Sequence, residues 1–107
     1  MKKLIWLTFD LGIRGDYEGF YAFLDDRNAK ECGDNSAAFL MEYEGDPITA
    51  LREQLKSSFT IDKRSRIYAV IPGIDGKAKG MFIFGKRKAG MWKGYGVAVT
   101  DEEDVGE

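Results

Sequence analysis

Histidine is absent from this 107-residue sequence, and cysteine occurs once, at Cys32. Without an imidazole the commonest metal ligand and general base is missing, which excludes His-dependent catalytic triads and most zinc sites. A lone cysteine forms no internal disulfide, and with no histidine to pair with, Cys32 is expected to be a buried or half-buried structural thiol, not a nucleophile. Long apolar runs are missing too. Stretches such as Leu4–Leu7 fall far short of the ~20 residues a helix needs to cross a bilayer, so no membrane span is expected. The start, Met1-Lys2-Lys3 followed by Leu4-Ile5-Trp6-Leu7, loosely imitates a signal peptide. Polarity returns at Asp10, however, and no small-residue cleavage site follows, which predicts a first strand in a cytoplasmic protein.

What remains is a near-average globular composition, 44% hydrophobic, at a length that affords one core and buries about two thirds of the unfolded chain's surface. The formal charge of −2 is unevenly spread. Acids outnumber bases from Asp16 to Glu53, whereas Lys77, Lys79, Lys86, Arg87, Lys88 and Lys93 follow one another with no acid between Lys77 and Lys93. Such a segment either meets a polyanion or forms a solvated, lysine-rich edge that discourages sheet-to-sheet aggregation.

Periodicity orders the elements. Leu4–Phe9 is nearly continuously apolar, as in a central strand covered on both faces. Asp16 supplies N-cap chemistry for a helix whose stripe is Tyr17, Phe20, Tyr21 and Leu24, its three aromatics assigned to the core, and Asn28 suits a left-handed stop. A short strand over Ala29–Cys32 is turned by Gly33-Asp34-Asn35 into a longer one over Ser36–Tyr43. Asp46-Pro47 opens a second helix with Ile48, Leu51, Leu55 and Phe59 along one face. Strands follow at Arg66–Ile71, Met81–Phe84 and Tyr95–Val99, and the partial echo between residues 76–82 and 85–92 is either a basic hairpin or chance. The pattern predicts an α+β fold, a ferredoxin-like βαββαβ sandwich with a C-terminal strand or hairpin extension. It spans residues 1–100, with 101–107 as a disordered acidic tail.

One face of such a sheet is bare. If Ile5, Leu7 and Phe9 face the helices, then Trp6, Thr8 and Asp10 face away, joined by Tyr68 and Val70. An exposed indole there implies a partner subunit, which apolar sheet faces favour, or stacked bases. Asp10, at the end of an apolar strand, either begins the loop by accepting backbone hydrogen bonds near Gly12 or helps to bind magnesium together with a second carboxylate.

The string Leu7-Thr8-Phe9-Asp10-Leu11, the amphipathic helix after it, Ser36-Ala37-Ala38-Phe39 opening a strand, the second helix, Asp62 and the strand Arg66–Val70 resemble the small CRISPR-associated dimeric ferredoxin-like proteins. They resemble also the VapD-type toxin ribonucleases. The resemblance implies a homodimer in which paired Asp10 side chains hold magnesium for cleavage of RNA or DNA, with Ser36 either positioning a phosphate or capping the turn. Asp16 and Glu18 stand where the family carries a basic cluster early in the first helix, leaving Arg14 as the candidate there. A magnesium-dependent endoribonuclease is therefore one expectation, with Asp10 as catalytic and metal-binding residue and Arg14, Ser36, Lys86, Arg87, Lys88 and Lys93 as nucleic-acid contacts. The other is a non-catalytic dimeric module that binds RNA or a protein through residues 77–93, with Trp92 and Tyr95 among the lysines. A third is a dimeric interaction or regulatory protein with neither property.

Overall fold

The computed structural model describes residues 1–96. In chain order the elements are β1 (Lys2–Asp10), α1 (Tyr17–Asp26), β2 (Lys30–Gly33), β3 (Ser36–Glu42), α2 (Pro47–Ser58), β4 (Arg66–Pro72) and β5 (Ala78–Phe84). The strands form one five-stranded sheet in the order β2-β3-β1-β4-β5, with every neighbouring pair antiparallel. The architecture is α+β and compatible with a ferredoxin-like fold. No helix among the described residues is long and apolar enough to cross a membrane.

Both helices pack into one core on one side of the sheet. Ile5, Leu7 and Phe9 of β1 are buried with Phe39 and Met41 of β3, Ile67 and Ala69 of β4, Phe20 and Phe23 of α1, and Leu51 and Leu55 of α2. Each helix begins at the cap its sequence predicts. The Asp46 carboxylate accepts from the Thr49 amide at 2.8 Å, and Pro47 follows where no amide hydrogen is needed. The two oxygens of Asp16 accept from the amides of Gly19 and Thr60, each at 2.9 Å. That pair of bonds ties the start of α1 to the chain beyond α2 and holds the carboxyl below its usual pKa. Asn28, at φ 54°, closes α1 in the left-handed region.

Several expectations are corrected. β1 is central, but its apolar residues are not covered on both sides: Trp6 is 40% exposed and Leu4 37%. Tyr21 is not core but 51% exposed, because the buried arc of α1 runs through Phe20 and Phe23, and Tyr21 lies about 100° around the helix from Phe20. Phe23 carries the Arg27 guanidinium 3.7 Å from its ring centroid. Cys32 is exposed, because β2 is a short edge strand whose four residues all face solvent. The strand expected at Met81–Phe84 begins earlier, at Ala78, and pairs along β4 as β5. Among the described residues the 85–92 half of the echo contains no strand, so the two halves form no hairpin. Of the strand expected at Tyr95–Val99, residues 95 and 96 lie in a turn and a bend; its remainder and the acidic tail lie outside the described residues.

Candidate functional site

The bare face divides into two halves. Strand pairing places Leu4 opposite Leu40 and Trp6 between Ala38 and Val70, an apolar half. Further along β1, Thr8 lies opposite Tyr68 and Asp10 opposite Arg66, and the next strand adds Phe82 beside Tyr68. Over this second half the chain after β5 folds back. The turn is made at Gly85, whose φ of 81° and close approach leave no room for a side chain: a Cβ there would lie 2.8 Å from both the Arg66 Cγ and the Ser65 carbonyl oxygen. The returning arm, Arg87 to Trp92, closes a cleft of about 670 Å³ against Thr8, Asp10, Arg66, Tyr68 and Phe82.

Cations and rings are interleaved in this cleft. Tyr68 and Phe82 meet edge to face with centroids 5.0 Å apart. The guanidinium carbons of Arg87 and Arg66 lie 5.6 and 6.0 Å from the Phe82 centroid. Arg66 is loosely held. One terminal nitrogen donates to the Lys86 carbonyl at 3.4 Å, the other lies 3.9 Å from Asp10, and the buried Nε has no hydrogen-bond partner. Arg66 lines the cleft, and its terminal nitrogens, held only by these long contacts, are suited to an oxyanion.

Asp10 is engaged on both oxygens, one accepting from the Gly12 amide at 3.0 Å and the other facing Arg66. The loop-starting role is thus formed. Asp10 is also the one carboxylate lining the cleft among the described residues, and no group of three or more carboxylates or cysteines gathers there or elsewhere in them as a metal site. Magnesium is commonly held by one or two carboxylates together with phosphate and water, and the cleft offers one, Asp10, which already faces a guanidinium. Asp10 is thus the one cleft residue, among those described, with the chemistry to contribute to such a site.

Of the residues singled out from the sequence, the fold brings Asp10, Arg87 and Lys88 to the cleft, together with Thr8, Tyr68 and Trp92. Lys86 is exposed beside it and contributes its backbone carbonyl to Arg66. Arg14 lies exposed in the turn after β1, Lys93 lies exposed beyond the arm, and Ser36 lines a separate groove with Tyr21 and Glu31. Arg66 and Phe82 were missed. The alternation that put Tyr68 on the bare face puts Arg66 there also, two residues earlier, so that signal was present. No family model, curated protein or solved structure matches the chain.

Proposed function

We propose that this protein binds RNA in the cleft between the bare sheet face and the returning arm, as a non-catalytic module. The observation that carries this reading is the convergence of Arg66, Arg87 and Lys88 on one space that also holds the rings of Tyr68, Phe82 and Trp92. Cations neutralise phosphates and aromatic faces accept bases, and few ligands other than a polynucleotide need both in repetition. The strand order, the antiparallel pairing and the shared core of the two helices support a ferredoxin-like βαββαβ frame with β5 as its extension. The test is the anisotropy of a labelled RNA oligonucleotide titrated across a salt series. With three cations on phosphate, the logarithm of affinity falls against the logarithm of salt with a slope of about −2. A flat dependence, or no binding at low salt, refutes the reading.

The second reading, a magnesium-dependent endoribonuclease, is favoured by the half-exposed Asp10 carboxylate opening into the same cationic cleft. It needs a two-fold partner to bring a second Asp10, and the exposed Leu4, Trp6 and Leu40 on the adjoining half of the face support such a homodimer. Asp10→Asn separates the two readings. In the nuclease, magnesium-dependent cleavage falls by orders of magnitude, and sedimentation shows a dimer. In the binding module the purified wild type cleaves nothing, and Asp10→Asn tightens RNA binding by about threefold to tenfold, because it removes a charge that repels phosphate and holds Arg66. We expect the second outcome.

A further inference from the structure

We infer that the RNA taken by this cleft is single-stranded, with an unpaired base stacked on Trp92; this rests on the RNA-binding reading above. Trp92 is 79% exposed, although an indole is among the side chains that gain most from burial. It does not hang free. A Cβ at Gly90 would lie 2.5 Å from Cε2, 2.7 Å from Cζ2 and 3.0 Å from Cδ2 of the indole, so the ring rests directly against the Gly90 backbone. With that side occupied by its own chain, the exposure belongs to the rest of the ring. The result is a flat apolar surface on the arm, presented to solvent beside Arg87 and Lys88.

The other rings divide the work. Phe82 already has two guanidinium groups within about 6 Å of its centroid. Tyr68 leans edge to face on Phe82 and forms the floor. Trp92 is therefore the ring most available to a base. A cleft of about 670 Å³ falls in the range that holds a small ligand and accommodates a nucleotide or two. A paired base, moreover, offers its face only after unstacking, at a cost of a few kcal/mol. Stacking of an unpaired base on an aromatic side chain is worth about 1–3 kcal/mol, so the indole discriminates strongly in favour of single strands.

The experiment uses the full chain with Trp6→Phe, which leaves Trp92 as the sole indole. Its emission is titrated at low salt with a short oligoadenylate and with the same strand annealed to its complement, and anisotropy of the labelled strands gives the affinities. The expected result is quenching by the single strand, bound at least about tenfold tighter than the duplex. Trp92→Ala then lowers single-strand affinity about tenfold and leaves duplex affinity nearly unchanged. Gly90→Val, which displaces the indole but keeps it, reproduces much of that loss. Equal affinity for strand and duplex, or a Trp92→Ala variant that binds the single strand as wild type does, overturns the inference and leaves the cationic cleft standing. Failure to bind either form at low salt overturns the RNA-binding reading and this inference with it.

Discussion

With Arg87 and Lys88 both replaced by glutamate, RNA affinity at low salt falls by about a hundredfold while the thermal unfolding midpoint stays where it was. Both side chains line the cleft, and both belong to exposed residues of the arm, so reversing them removes no core contact. Each reversal deletes a cation near phosphate and introduces an anion in its place, a loss on the order of 1–1.5 kcal/mol per position in a solvent-screened site. Two such losses make about 3 kcal/mol, or roughly a hundredfold. The salt slope also flattens by about 1.4, since two fewer cations displace counterions from a single strand. Arg66 remains to bind what is left. The measurement is again anisotropy across a salt series, beside a melt followed by circular dichroism. The same pair of changes at Arg14 and Lys93, which lie outside the cleft, moves affinity little. If reversal at Arg14 and Lys93 matters as much, the protein attracts RNA by general charge and the cleft has no special part.

Phe20→Ala destabilises the fold by about 3–5 kcal/mol, a large part of the stability of a domain this size. Phe20 is fully buried at the junction of sheet and helices. Its ring centroid lies 4.6 Å from that of Phe9 in β1, 5.1 Å from Phe59 after α2 and 6.3 Å from Phe23 one turn along. Truncation therefore removes the ring's own burial and leaves a cavity that three further rings line, none of which can shorten the gap without leaving its own contacts. The unfolding midpoint drops by roughly 12 °C or more. Phe20→Leu, which keeps most of the volume, costs about half as much or less. Tyr21→Ala, next in sequence but half exposed, changes stability by a fraction of the Phe20 effect. A urea titration of the three variants orders them, and equal losses at positions 20 and 21 contradict the buried arc described for α1.

The sequence by itself determined both helices, the order of the first five strands and the alternation of the central one. Alternation along Ile5, Leu7 and Phe9 against Trp6, Thr8 and Asp10 is a local property, set by the pleat of one segment, and it correctly separates the core face from the bare one. The caps at Asp16 and Asp46 are equally local, since a side chain there meets an amide three residues on. Tertiary structure alone decided which distant residues share a site. Asp10 meets Arg66 because β4, not β3, pairs with the end of β1 in that register, and nothing in either segment specifies its partner. The arm covers the sheet because Gly85 turns the chain where Arg66 leaves no space for a side chain, a condition set by a neighbouring strand. Cys32 and Tyr21 are exposed for the same reason in reverse: hydropathy states what a residue gains from burial, and only the packing of the other elements determines whether anything is there to cover it.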